Sequence, residues 1–410
     1  MPSNKKVIND PVYGFITLPT QLIFEVVQHP FFQRLRRINQ LGLTSFVYPG
    51  AVHTRFHHAL GAMHLMSLAI ETLRLKGHEI TDEEYEAALI AILLHDLGHG
   101  PFSHLLEHTL LQDTPHESIS LLLMRQMNRE LGGKLGLALS IFEGTYAKKF
   151  LHQLVSSQLD IDRLDYLNRD AYFTGVKEGT VGAERIIKML DVANDQIVVE
   201  EKGIYSVENF LNTRRLMYWQ VYFHKSTISA EVLLMQLVKR AGHLAMAGAY
   251  VPASQSLAYF LKHKPTQTQL VEDSEALRHF AQLDDYDIWT SVKLWAESED
   301  WALRQLSQNL LNRHLYKIEI SNKPFPAENV VHLAKKIKEQ WKIGKDILPY
   351  FLVQGEASNA AYLANKENIN ILKKDGTVLD IAEASELPNI KAISKIVKKF
   401  YLCYPKTLSL

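Results

Sequence analysis

The segment His95-Asp96-Leu97-Gly98-His99-Gly100-Pro101-Phe102-Ser103-His104 decides how this 410-residue chain folds. It follows a wholly apolar run over residues 87–94, AALIAILL. A helix that is apolar all round is buried all round, so a buried helix ends by delivering His95 and Asp96 at its last turn. Gly98 and Gly100 free the backbone to turn, and Pro101 suits the first position of the next helix. Polar side chains at the end of a buried helix are costly without a partner. A lone His-Asp pair there is ordinarily a cap or a surface pair. Here ten of the eighteen histidines fall between His53 and His116, and that density points to a metal site.

Upstream, residues 5–14 (KKVINDPVYG) read as an extended arm turning at Asn9-Asp10-Pro11. A short helix is expected over 19–27. Pro30 then opens FFQRLRRINQLG, with Arg34, Arg36 and Arg37 on polar positions, either a solvated face or an anion site. Residues 47–58 (VYPGAVHTRFHH) give a turn and the head of a helix reaching about residue 75. His58 lies at that head, and Arg55 is close enough to meet an anion beside it. Asp82 is the expected cap of the helix leading to His95. Downstream, 101–111 reads as a helix with His104 and Glu107 on one face. Thr114 is the expected cap of a further helix reaching residue 131, with Pro115 at its first position.

Residues 154–170 (LVSSQLDIDRLDYLNRD) carry Asp160, Asp162, Asp165 and Asp170 on a helical pattern. Four acids on one helix are usually a wet face, but Asp162 lies close to Ile161 and Leu164 and is the candidate fourth ligand. A hairpin is expected over 197–205, turning at 200–203. A long helical pattern over 207–247, broken near 226–227, carries Arg214, Tyr218, Tyr222, His224 and Lys225. Helices continue to about 312, clearest at 273–283 and 288–295. Strands follow at 316–320, 348–353, 369–372 and 378–381, with Asp375-Gly376 as a tight turn. Lys-rich helices are expected at 334–345 and 390–400. The fold class is therefore mainly α, a helical core over 1–250 with a smaller α+β region over 251–410.

Lys+Arg and Asp+Glu each total 45, so no global basic field favours nucleic acid. The one cysteine, Cys403, excludes an internal disulfide and any Cys-rich zinc site. The N-terminus lacks the apolar core of a signal peptide. No apolar run approaches the roughly 18–20 residues of a membrane span. A cytoplasmic protein without a membrane partner is expected.

His58, His95, Asp96 and Asp162 offer two nitrogens and two oxygens, a set suited to Mn, Fe, Zn, Ni or Mg. A divalent ion held there can lower the pKa of water and withdraw charge from a phosphoryl group. His99, His104 and His116 stand nearby in sequence, and histidine supplies charge or a proton near neutral pH. Arg55 and Arg163 could clamp phosphates bidentately. These residues argue for metal-assisted hydrolysis of a phosphate ester or anhydride.

The order His58, His95-Asp96, Asp162 resembles the H…HD…D signature of the HD-domain phosphohydrolases. KVINDP, RLRRINQLG, VYPGAVHTRFHHALG, HDLGHGPFSH and DIDRLDYLNRD resemble, in order, the HD-domain deoxynucleoside triphosphate triphosphohydrolases of the sterile-alpha-motif type. The likeness is strong over roughly residues 5 to 230 and loose elsewhere, with no counterpart of the sterile-alpha-motif domain expected. It implies that His58, His95, Asp96 and Asp162 hold the metal and that Arg55 and Arg163 hold phosphates. Relatives often carry Lys at the latter position, which keeps the charge but changes its geometry. His99, His104 and His116 would surround the α-phosphate, with His104 the proton donor and Glu107, an Asp in relatives, supporting His116. Gln40 and Asp170 would bind the sugar 3′-OH. Leu41, Tyr166 and Tyr222 would crowd the 2′ position and favour deoxyribose. Water attack at the α-phosphorus would release deoxynucleoside and inorganic triphosphate.

Some relatives are activated by nucleotides bound between subunits, and for this chain the likeness implies a homo-oligomer, dimer or tetramer, with an activating nucleotide at a subunit interface. Lys6, Val7, Asn9, Gln33 and Arg36 match positions used there, whereas Gln28 replaces an acid that reads guanine. Two other readings stand beside this one. One is an HD phosphohydrolase acting on monophosphates, cyclic nucleotides or an alarmone, against which the sugar-contact set argues. The other is a nucleotide-sensing module with a vestigial site, against which the complete ligand set argues.

Overall fold

The computed structural model describes residues 6–102, 109–112, 114–359, 368–387 and 397–406. The chain opens as a hairpin of β1 (Lys6–Asp10) and β2 (Gly14–Leu18), with Val7 opposite Thr17 and Asp10 opposite Gly14. Asp10 builds the turn. Its Oδ1 accepts from the Val12 and Tyr13 amides at 3.0 and 2.9 Å, and Gly14 closes it at φ +74°. Ile16 and Leu18 point into the core while Val7 and Phe15 stay exposed.

Two short helices follow, α1 (Gln21–Gln28) and α2 (Pro30–Arg34). The long helices α3 (Arg55–Leu75) and α4 (Asp82–Leu94) form the centre. The cap of α4 is Thr81 rather than the expected Asp82. Thr81 Oγ1 accepts from Glu84 N at 3.1 Å, and Glu84 Oε2 accepts from Thr81 N at 2.8 Å, a reciprocal capping box that Asp82 in the first turn cannot make. Every residue from 87 to 94 is buried. That apolar run packs against α3 on one side and α6 (Gly136–Phe142) on another.

Between them α5 (His116–Glu130) begins at Pro115, not at Thr114, whose hydroxyl instead donates to the Gln112 carbonyl at 2.9 Å. Most of the helix expected over 101–111 lies outside the described residues. After α7 (Lys149–Val155) comes α8 (Ile161–Thr174), which packs on α3. Asp160 caps α8 by accepting from Arg163 N at 2.8 Å, and Gly175 ends it in the left-handed conformation at φ +74°.

After α9 (Ala183–Met189) the hairpin lies earlier than expected. It pairs β3 (Leu190–Ala193) with β4 (Gln196–Glu200), and the segment from Ile204 is helix, α10 (Ile204–Met217). The turn is Asn194-Asp195, both at positive φ (+52° and +59°), the pairing that suits strand twist. The long helical pattern breaks earlier than expected: Ser226 and Thr227 lie in the first turn of α11 (Lys225–Met246), which His224 caps, and the interruption is a π-helical stretch, Tyr218–Tyr222.

Helices Ser274–Gln282, Asp285–Trp295 and Trp301–Leu311 precede β5 (Lys317–Ser321). The Lys-rich helix spans Ala327–Trp341, somewhat earlier than expected. The stretch from 348 starts as a short 3-10 turn and becomes β6 (Val353–Asn359) only at its end. Then come β7 (Asn370–Leu372) and β8 (Val378–Asp380). The helix expected over 390–400 is overturned where it is described: Val397–Tyr404 is a strand, β9, paired with both β5 and β6. Its Leu402, Cys403 and Tyr404 are buried, and pairing on both edges outweighs the helical preference of the preceding lysines. The sheets run β5-β9-β6 and β3-β4-β7-β8. In the second, β7 pairs parallel to β4, so chain from both sides of residue 250 shares one sheet. Helices dominate and the sheets are small, as the fold class expected. Among the described residues, no helix is long and apolar enough to cross a membrane.

Candidate metal centre

Three helix ends meet at one point. His58 comes from the first turn of α3, His95 is the C-cap of α4, and Asp162 comes from the first turn of α8. His58 Nε2 lies 3.3 Å from His95 Nε2 and 3.1 Å from Asp162 Oδ1, and His95 Nε2 lies 3.4 Å from the same oxygen. Two ligands about 2.1 Å from one ion stand no more than about 4.2 Å apart, so this spacing suits a shared cation.

The outer nitrogens strengthen that fit. His58 Nδ1 is 2.7 Å from Asp165 Oδ2, and His95 Nδ1 is 2.6 Å from the Ile92 carbonyl. Each ring donates its Nδ1–H outward, which leaves both Nε2 lone pairs facing one another. A cation between them removes that repulsion, and such outer partners are how metal-bound imidazoles are held. Without it, the carboxylates call for protons instead. Burial works against charge on His58, yet hydrogen bonds to Asp162 and Asp165 prevail and lift it to about 10. Burial likewise opposes charge on Asp162, but His58 and His95 hold its carboxyl below the usual range.

Asp96 stands between two clusters. Its Oδ1 lies 3.3 Å from both His95 Nε2 and His99 Nε2, and its Oδ2 is 3.8 Å from His58 Nε2 and bonded to Arg55 Nη1. His99 and His116 stack face to face, ring centroids 3.8 Å apart. Burial and the Arg55 guanidinium hold His99 well below its ordinary pKa, so it is neutral near pH 7. His104 and Glu107 lie outside the described residues. Gly98 lets this turn close. A Cβ there would meet the His116 carbonyl at 2.1 Å, and its amide donates to Ser120 Oγ at 2.8 Å.

Arg34 overturns the expectation of a polar position on a helix face. It is buried, with Nε on the Leu283 carbonyl at 2.8 Å, Nη1 on that of Leu97 at 3.3 Å and Nη2 on that of His99 at 2.9 Å. Its ring of donors thus holds the turn that follows His95-Asp96. Arg163 is tied to Asp160 through Nη1, and burial lifts the Asp160 carboxyl to about 6 despite that partner.

A second wall adjoins these candidate donors. Tyr166 lies 6.5 Å from His58 and 6.3 Å from Tyr222, centroid to centroid. The π-helical stretch turns Tyr222 so that its hydroxyl donates to Asp170 Oδ2 at 2.7 Å, while His53 Nε2 meets Asp170 Oδ1 at 2.7 Å. Gln40 Oε1 is buried with no hydrogen-bond partner among the described residues. Leu41 packs against the core near the same turn. The residues named for an activating nucleotide come from two elements, the hairpin and the α2 segment with the turn after it. Lys6, Val7 and Asn9 are exposed on the hairpin and Arg36 is exposed as well; Gln33 accepts from Arg36 Nε at 2.9 Å, and the Arg36 guanidinium lies over Phe56 at 3.5 Å. The sequence reading missed Asp165 and His53, which hold His58 and Asp170. The contacts that give them these roles join residues 107 and 117 positions apart; for Asp165 the i,i+4 spacing to Arg169 on α8 was a signal that could have found it.

An HD domain model matches residues 55–170, and an HD-associated-region model matches 181–249. A crystal structure described as a phosphohydrolase from Bacteroides thetaiotaomicron is 51% identical, covers 98% of this chain and all of that one, and superposes with a TM-score of 0.95. The chain belongs to the HD-domain phosphohydrolases. Its HD domain binds a divalent metal ion. The uncharacterized protein YwfO of Bacillus subtilis is 33% identical over 99% of this HD-domain chain and 93% of its own length. A protein named deoxynucleoside triphosphate triphosphohydrolase SAMHD1 homolog, from Dictyostelium discoideum, is 30% identical over 77% of this chain and 60% of that protein.

Proposed function

We propose that this HD-domain protein hydrolyses deoxynucleoside triphosphates to deoxynucleoside and inorganic triphosphate. The observation that carries the reading is the wall of Tyr166, Tyr222 and Asp170 placed directly beside the His58–His95–Asp162 donors. The name of the Dictyostelium relative supports it.

His58, His95, Asp96 and Asp162 would hold the ion. When bound, such an ion polarises a phosphoryl oxygen and makes water acidic. The chain's own residues do the rest. Arg55, anchored on Asp96, and Arg163, anchored on Asp160, present guanidinium charge to the phosphates. Neutral His99, stacked on His116, adds polarisable donors where the α-phosphate would lie, and His104 would protonate the leaving 5′ oxygen. The unpartnered Gln40 Oε1 accepts from a sugar hydroxyl, the 3′-OH, with Asp170 held in place by His53 and Tyr222. The phenol of Tyr222 fills the space beside Asp170, so with Tyr166 and Leu41 it disfavours a 2′-hydroxyl. Lys6, Val7, Asn9, Gln33 and Arg36 would take an activating nucleotide at a subunit interface.

The test is a substrate panel with Mn or Mg, reading products by chromatography. Deoxynucleoside plus triphosphate from dNTPs, with ribonucleotides poorer, is the expected result. Monophosphate plus pyrophosphate, or turnover of only monophosphates or cyclic nucleotides, would remove this reading.

A further inference from the structure

Behind His58 runs a buried chain of charges that leaves the metal centre and ends in the N-terminal hairpin. His58 Nδ1 meets Asp165 Oδ2 at 2.7 Å. Arg169 grips Asp165 with two donors, Nε to Oδ2 at 2.9 Å and Nη2 to Oδ1 at 3.0 Å. The same guanidinium reaches Asp10 on β1, Nη1 to Oδ2 at 2.7 Å and Nη2 to Oδ1 at 3.4 Å. Side-chain exposure is 0% for Asp165 and Arg169 and 3% for Asp10. The fold makes room for this chain. A Cβ on Gly61, one turn beyond His58 on α3, would lie 2.0 Å from Arg169 Nη2 and 2.1 Å from Asp165 Oδ1. Asp10 is meanwhile fixed by the Val12 and Tyr13 amides, so its carboxylate cannot swing away without opening the hairpin turn.

We propose that Asp10, Arg169 and Asp165 form a strut through which the N-terminal hairpin positions His58 as a metal ligand. The inference rests on the reading of His58 as a ligand. Its physics is charge sharing. Arg169 lies between two carboxylates, so Asp10 takes part of its pull and leaves Asp165 free to accept strongly from His58 Nδ1–H. That hydrogen bond fixes the ring and makes Nε2 a better donor. Without the Asp10 charge, Arg169 turns wholly on Asp165 and the imidazole binds metal more weakly. In a site of low polarity such a change is not screened away. Asp10, Arg169 and Asp165 are thus positioning residues.

The experiment measures Mn affinity of the full chain by titration calorimetry, with thermal melting alongside. Asp10→Asn keeps the shape and removes the charge. Its Mn Kd should rise by about tenfold, the low end for partners one shell out, while kcat at saturating Mn returns close to the parent value. Ile16→Val loosens the same hairpin without touching the strut, so it should lower Tm and leave Kd unchanged. Should Asp10→Asn not fold, Asp10→Ser keeps an oxygen for the turn amides and carries the same expectation. An Asp10 variant with unaltered Kd, or an equal Kd rise in Ile16→Val, overturns the strut. His95→Ala separates the two levels. Loss of Mn binding there leaves the metal-centre reading standing, whereas retained binding would overturn that reading itself.

Discussion

Arg34 shows how one side chain can serve a site it does not enter. Its three backbone acceptors come from Leu97, His99 and Leu283, so it ties the turn after Asp96 to the C-terminal helices. It also lies 4.8 Å from the Phe280 ring centre. Burial presses its guanidinium down to about 10, still charged at neutral pH. Lysine carries the charge but not the planar fork, so Arg34→Lys leaves buried carbonyls without a donor. An orphaned buried acceptor costs about 1–3 kcal/mol. Urea unfolding of Arg34→Lys should show a loss of about 2–3 kcal/mol, and its turnover should fall because His99 is no longer held. Unchanged stability would mean that the turn holds itself.

At the scale of elements, the centre depends on where helices begin and end. α3 and α8 present candidate ligands from their first turns and α4 presents one from its end. The start of α4 is therefore as consequential as its finish. Glu84 is buried there, accepting from Thr81 N, Tyr146 Oη and Lys148 Nζ at 2.8, 2.6 and 2.8 Å. Burial alone would raise its pKa, but Lys148 and Tyr146 outweigh it and hold the carboxyl below the ordinary value. A carboxyl depressed in the folded state stabilises above its unfolded pKa and loses that contribution as pH falls through the folded one. Glu84→Gln should thus cost about 1–2 kcal/mol near pH 7, and the gap from the parent should narrow as pH falls below the ordinary glutamate value of about 4.3 and on through the lower folded one. Denaturant melts near neutrality and through that acid range check this, and a gap that persists in acid would assign the effect to shape alone.

Over the whole molecule, the C-terminal region is bound into the core rather than appended to it. β7 pairs with β4, and β9 sits between β5 and β6. Cys403 on β9 reports on that binding. It is fully buried, and burial pushes its thiol up to about 12. A neutral, enclosed thiol does not react. A disulfide reagent at pH 8 should therefore leave the native protein unmodified and label it only across the main urea transition. Labelling before that transition would reveal that β9 detaches as a separate unit.

The sequence by itself determined the local facts. The run 87–94 required a buried helix, His95-Asp96 had to end it, and the residues of the H…HD…D pattern were legible by type and order. Helix interiors were legible because burial follows a short-range period. Helix caps and strands were less so. The cap at Thr81 depends on a reciprocal bond, and β9 depends on two partners that the local lysines do not announce. Only the tertiary structure decided that α3, α4 and α8 bring His58, His95 and Asp162 within 3.1 to 3.4 Å of one another. The Asp165–Arg169 pair is an i,i+4 contact that α8 itself provides, but the fold alone joined His58 to Asp165 and Arg169 to Asp10, across 107 and 159 residues. The reason is physical: a buried charge selects its partner by distance in space, and sequence spacing carries no record of that choice.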